Sequence, residues 1–198
     1  SSTDDVATGT GARTILVQGL DANFEEVEAT INMNGTSAST ATTQTFLRVH
    51  RAYVVTSGAY GKTTTGPHKG NITIRTSGAG ATHIYLNAAT AAVGQSLVAR
   101  YTIPAGKTGY LVNANFTAAG NKQSNFYLWK RENADTVTAP FSPKRIIETF
   151  SGVISYLPRQ WHIPIRLPEK TDIWASVIGD GTGSSASVAF DIVMADNT

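Results

Sequence analysis

Apolar residues recur at every second position along most of this chain, in short runs broken by Gly, Asn, Pro and Thr. In the clearest early run, Val27, Ala29, Ile31 and Met33 alternate with Glu26, Glu28, Thr30 and Asn32. A period of two places one set toward a core and the other toward solvent, the signature of a half-buried strand. Leu97, Ala99, Tyr101 and Ile103 repeat the pattern, as do Tyr110, Val112, Ala114 and Phe116, and finally Val188, Phe190, Ile192 and Met194. The pattern predicts strands over Arg13–Gly19, Phe24–Met33, Phe46–Thr56, Asn71–Arg75, His83–Leu86, Leu97–Ile103 and Tyr110–Phe116. Further strands are predicted over Phe126–Trp129, Arg145–Ser155, Trp161–Leu167, Asp172–Ile178 and Ser187–Met194.

The punctuation fits. Gly19 to Asn23, Asn34-Gly35, Pro104 to Lys107 and Pro168 to Thr171 read as turns. Asn-Gly in particular tolerates the positive φ of tight hairpins. Ser37–Thr45 reads as a loop or edge segment, Ser57–Gly70 as the largest flexible loop, and Thr138–Lys144, with Pro140 and Pro143, as a further loop. Ala88–Gly94 is small and apolar enough for a helical turn, and no long helix is expected. About twelve short strands at this spacing imply an all-β, antiparallel β-sandwich of jelly-roll type. Residues 1–11 read as a flexible N-terminal arm or linker. Residues 12–198 read as a single domain, with a sub-division near 92–96 as the alternative.

Composition narrows the function classes. Charged residues are 15% of the chain, against about 25% in ordinary globular domains. Thr, Ser, Asn, Ala and Gly fill the gap, which suits sheets and a surface held within an assembly. A net charge of +2 gives no basic field that argues for nucleic acid. With no cysteine, disulfides and thiolate chemistry are excluded. No apolar run approaches the roughly 20 residues of a membrane-spanning helix, and Ser1 to Asp5 has no signal-peptide core. The absence of an initiator Met implies a processed product or a piece of something longer.

No catalytic, metal or cofactor site emerges. His50, His68, His83 and His162 are scattered, without the spacing of metal ligands. Glu132, Asp135, Glu148, Glu169, Asp172 and Asp191 are the carboxylates from which a glycosidase pair would have to come, and solvated positions are expected for all of them. Gly179 to Gly183 lacks the following helix of a phosphate loop and the several carboxylates of a calcium loop. Asn34-Gly35-Thr36, Asn71-Ile72-Thr73 and Asn115-Phe116-Thr117 match the glycosylation pattern by chance in an Asn- and Thr-rich chain. Trp129, Trp161 and Trp174, with Tyr127 and Tyr156, are the most informative side chains. Such aromatics fill cores, anchor interfaces or stack on sugars. Trp129, Lys130, Arg131, Tyr156 and Trp161 form the candidate interface.

Six segments carry a resemblance. They are Thr8–Thr36 (TGTGARTILVQGLDANFEEVEATINMNGT), Phe46–Val54 (FLRVHRAYV), Asn71–Ile74 (NITI), Tyr101–Val112 (YTIPAGKTGYLV), Pro164–Val177 (PIRLPEKTDIWASV) and Ala189–Asn197 (AFDIVMADN). In this order they resemble a family of structural proteins of tailed bacteriophages, common in marine and cyanobacterial phages. The resemblance implies a non-enzymatic virion protein without cofactor. Its place would be the outer capsid surface, as a decoration or cement protein. Its partners would be the major capsid protein and itself, as a homotrimer. It also implies chain upstream of Gly9 to Thr14. The alternative is a tail, fibre or head-appendage adsorption module that binds a host surface glycan or another receptor. A polysaccharide-degrading enzyme is a third and weaker reading. Neither nucleic acid nor membrane is an expected partner.

Overall fold

A computed structural model describes residues 1–59, 66–88, 93–119, 122–181 and 185–197. Among them are twelve strands and no helix, as an all-β chain requires. The chain divides into two compact units, Ser1–Val98 and Ala99–Thr198. Each unit has its own hydrophobic core, so the continuous sandwich expected over 12–198 gives way to two bodies. Their junction lies just downstream of residues 92–96.

The first unit contains β1 (Ala12–Leu20), β2 (Glu26–Asn32), β3 (Arg48–Ser57), β4 (Ile72–Arg75) and β5 (Thr82–Leu86). Its antiparallel sheet has the order β2-β1-β3, and β4 and β5 form a separate hairpin. The register places Ile15 opposite Ile31 and Val54, and Val17 opposite Ala29 and Ala52. These residues pack with Met33, Ile72, Ile84 and Leu86, so the predicted inward face of β2 is the observed one. β2 starts at Glu26 rather than Phe24 because Phe24 adopts a φ of 64°. The turn before it is held by the Asp21 carboxylate, which accepts from the backbone N–H groups of Asn23 (2.8 Å) and Glu25 (3.0 Å).

Residues 1–11 are not an arm. Asp5 is fully buried and accepts four backbone N–H groups: Ala12 (2.9 Å), Lys69 (2.9 Å), Gly70 (2.8 Å) and Ser2 (3.1 Å). Burial alone would push its carboxyl up, but the donors of Lys69, Ser2, Gly70 and Ala12 outweigh burial and hold it below the usual carboxylate range. A polar segment thus becomes ordered because one carboxylate satisfies backbone donors from three parts of the chain.

The strand expected over Leu97–Ile103 is divided between the two units. Ser96 N–H donates to Ala52 O (2.8 Å) and Val54 N–H to Gly94 O (2.7 Å). Residues 94–96 therefore extend the β3 edge, and Leu97 is 76% exposed. Residues 60–65 of the expected Ser57–Gly70 loop lie outside the described residues. So do 89–92 of the segment considered for a helical turn, and 182–183 of the Gly179–Gly183 loop.

The second unit contains β6 (Arg100–Thr102), β7 (Lys107–Ala119), β8 (Ser124–Arg131), β9 (Arg145–Val153), β10 (Tyr156–Leu167), β11 (Asp172–Gly179) and β12 (Ser185–Asp196). One sheet has the order β10-β7-β12 and the other β6-β11-β8-β9. The connectivity is nested: β8 pairs β9, β7 pairs β10, and β6 pairs β11. This is the strand order of a jelly roll without its first strand. Leu111, Leu128, Leu167, Ile173, Phe116 and Phe126 are fully buried between the two sheets. Truncating one of the leucines to Ala would cost about 2–5 kcal/mol.

β7 departs from the predicted face. Tyr110 and Val112 were expected inward with Ala114 and Phe116, yet Leu111 is buried while Tyr110 and Val112 are not. Both neighbours show why. β12 places consecutive residues Asp191 and Ile192 opposite Asn113 and Leu111, skipping Val112. β10 breaks register at the same place, between Gln160 and Ile165. A β-bulge at Val112 thus reverses the alternation within one strand.

The Pro168–Thr171 turn joins the two sheets and ties down its surroundings. Lys170 has a φ of 56°. Its N–H donates to Ile103 O (2.8 Å), and its carbonyl accepts from Ala134 N–H (2.8 Å). The Glu169 carboxylate accepts from Gly106 N–H (2.6 Å), where Gly106 supplies the positive φ of the Pro104–Lys107 turn.

Candidate functional site

Alternation fixes which side chains leave the core of the second unit. On β8, Phe126 and Leu128 are buried, so Tyr127 and Trp129 stand on the opposite face. On β11, Ile173 is buried and Trp174 stands on that same outer face. The register then aligns Arg100, Trp174, Trp129 and Ile146 in one row across all four strands of the sheet.

The row is an ordered aromatic surface. The Trp129 and Trp174 rings lie 6.2 Å apart and 8° from parallel, and Tyr127 lies 6.2 Å from Trp129. Trp129 Nε1–H donates to Ser176 Oγ (2.8 Å), which fixes the indole against the sheet. Lys144 Nζ sits 5.2 Å from the Trp129 ring centroid, a cation over an aromatic face. Ile146 and Ile178 are 48% and 60% exposed, so apolar surface continues beyond the indoles. Both indoles are partly buried. The arrangement supplies flat apolar area and positive charge, and it places no acid–base pair or nucleophile in the row.

The expected interface residues do not come together. Lys130 has the parity of the core-facing residues and pairs with Glu132 (2.7 Å). The hydrogen bond from Lys130 holds the Glu132 carboxyl down against the opposing effect of burial, with the charges of Lys130, Arg145 and Arg166 assisting. Arg131 organises the following loop, donating to Ser142 O (3.2 Å) and Thr136 O (3.0 Å). Tyr156 is 59% exposed on β10, where its hydroxyl donates to Asn115 Oδ1 (2.7 Å). Trp161 packs against both core clusters of the unit. Only Trp129 belongs to the row, and its stacking partner is Trp174, a residue outside the expected set.

Asp135, Glu169 and Asp191 are exposed, as expected, whereas Glu132, Glu148 and Asp172 are half-buried and engaged with structural partners. Glu148 pairs with Leu128 in register, at a position of core parity. It accepts from Arg159 Nε (3.0 Å) and Trp161 Nε1 (3.1 Å), which links β9 of one sheet to β10 of the other. Asp135 pairs with Lys170 (3.0 Å), and Asp172 accepts from Thr102 Oγ1 (2.6 Å). Asp191 alone of the six is exposed on a strand face. No group of three or more His, Asp or Glu arranged to hold a metal is present among the described residues. His68 is buried, and neither ring nitrogen has a hydrogen-bond partner among the described residues. Burial pushes its pKa below the ordinary value, with the Asp5 charge opposing.

No protein-family model, curated protein or solved structure was found to match this chain.

Proposed function

We propose that this protein is a non-enzymatic structural component of a tailed-phage virion, decorating or cementing the outer capsid by repeated contacts with the major capsid protein. The observation that carries the reading is the outer row Arg100–Trp174–Trp129–Ile146, an aromatic and apolar strip with an arginine at one end. Rigid aromatics at the centre of a patch supply most of the energy in protein interfaces. Modest contacts repeated by symmetry then add through avidity. The resemblance of the six segments to phage structural proteins supports the same reading. So does the jelly-roll strand order, an architecture used in viral capsid domains, although this last support is analogy of fold alone. The test is attachment of purified protein to particles that lack it. Wild type should bind, and a Trp129→Ala, Trp174→Ala double variant should fail to bind while keeping its fold.

A second reading has an observation of its own. Near-parallel indoles flanked by Ser176 and Lys144 match the way flat aromatic faces stack on sugar rings. In that case the protein is an adsorption module on a fibre, tail or head appendage, and the same double variant should lose binding to host-surface glycan.

A further inference from the structure

The second unit leaves one strand position empty. A jelly roll nests four antiparallel pairs, and three are present here: β8·β9, β7·β10 and β6·β11. The fourth would pair β12 with a strand preceding β6. The chain just upstream of β6 is engaged elsewhere, because residues 94–96 bond to β3 of the first unit. β12 therefore pairs with β7 on one side only. Among the described residues no backbone hydrogen bond reaches its other edge.

The remaining sheet edges of this unit are protected against pairing. β6 is only 3 residues long. β10 carries Pro158 and Pro164 and loses register between Gln160 and Ile165. β9 begins with Arg145, has a register shift, and ends near Gly152 at a φ of 68°. Proline, charge, irregularity and shortness are the usual ways in which edges avoid one another. β12 has 12 residues with neither Pro, Lys nor Arg, and Asp191 is its one charge away from the strand end. Such an edge is a template for strand addition.

We propose that the occupant of this edge is β12 of a second copy, antiparallel about a two-fold axis through Phe190. The strand is its own complement. Its core-parity residues Val188, Phe190, Ile192 and Met194 must lie opposite residues of the same parity. Two registers then give the longest overlap. One sets Asp191 against Asp191, a like-charge contact that disfavours pairing. The other centres on Phe190 and sets Asp191 opposite Ala189, Val188 opposite Ile192, and Ser187 opposite Val193, with no acidic residue facing another. Val193, 56% exposed in the single chain, gains a neighbour. Because the contact is isologous, each copy closes the other's edge and the pairing stops at two. The proposal does not rest on the virion reading.

The register makes the test specific. Ala189 is exposed, so charge there is compatible with the fold, and in the dimer it faces Asp191 twice. Sedimentation of the full chain should give twice the chain mass for wild type. Ala189→Glu should weaken the dimer about tenfold through two like-charge pairs. Ala189→Lys should preserve or tighten it, in a manner that added salt reverses. Tryptophan fluorescence should match wild type in both variants. A chain that is monomeric at every concentration would overturn the proposal. So would a dimer or trimer indifferent to both substitutions.

Discussion

Trp129 on β8 and Trp174 on β11 face each other across the strand pair with their rings 8° from parallel, on the sheet face opposite the core. Removing either indole should leave the core intact, since Leu128 and Ile173 beside them carry its packing. We expect Trp174→Ala to cost at least about 2 kcal/mol of partner binding, the scale of an interface hot spot, and less than that in folding stability. Titration of particle binding alongside urea denaturation separates the two. A large stability loss with unchanged binding would make the pair a packing device.

Asp5 joins four backbone donors, so its removal should be felt far from residue 5. Asp5→Ala strands the buried N–H of Ala12 and the part-buried N–H groups of Lys69 and Gly70. The expected cost is about 2–4 kcal/mol, at roughly 1–3 kcal/mol for a group left unsatisfied with partial rescue by water. Amide hydrogen exchange at those three positions should accelerate. Unchanged protection would mean that Asp5 is dispensable.

The same corner of the first unit should be acid-sensitive. Asp5 and His68 both have folded pKa values below their ordinary ones. A depressed folded value means that the unfolded chain takes up protons first as the pH falls. Stability is therefore fully present above the unfolded pKa and is lost as pH drops through the folded one. The His68 contribution should begin to fade below about pH 6.5 and that of Asp5 below about pH 3.9. Denaturation midpoints from pH 8 to 3 should decline in that order, and His68→Phe should flatten the first decline. A stability that rises on acidification would refute the assignment.

Glu148 offers a check on the enzymatic alternative. It bridges β9 to β10 through Arg159 and Trp161, so Glu148→Ala should destabilise the second unit by about 1–2 kcal/mol. Glu148→Gln, which keeps an acceptor for the indole N–H, should cost less. Glycan turnover by the wild type that both variants abolish would restore the carboxylate as a catalyst.

Much of the strand pattern is legible because β2 alternates without interruption and β12 does so from Val188 to Ile192, with each apolar residue there flanked by polar or small ones on at least one side. The bulge in β7 is not. Tyr110, Leu111 and Val112 are all apolar, so either phase reads as a core face, and only the neighbours' register reveals the switch. Residues 1–11 look like a linker because Asp is ordinarily a solvated residue; its role depends on donors more than 60 residues away in sequence, at Lys69 and Gly70. The aromatic row was half visible. Trp129 carries a local signal, beside buried Leu128, whereas its match with Trp174 depends on the pairing of β8 with β11. Lys130 and Arg131 adjoin Trp129 in the chain, but Lys130, one residue on, points to the opposite face, and Arg131, though of Trp129's parity, is turned to the carbonyls of Ser142 and Thr136.

The most direct test of the central claim is the copy number of this protein in purified phage particles, by quantitative mass spectrometry against the major capsid protein. The capsid-decoration account predicts a ratio comparable to that of the capsid protein. A ratio of a few copies per particle would contradict shell-wide decoration and favour the adsorption reading. Absence from the particle would contradict both.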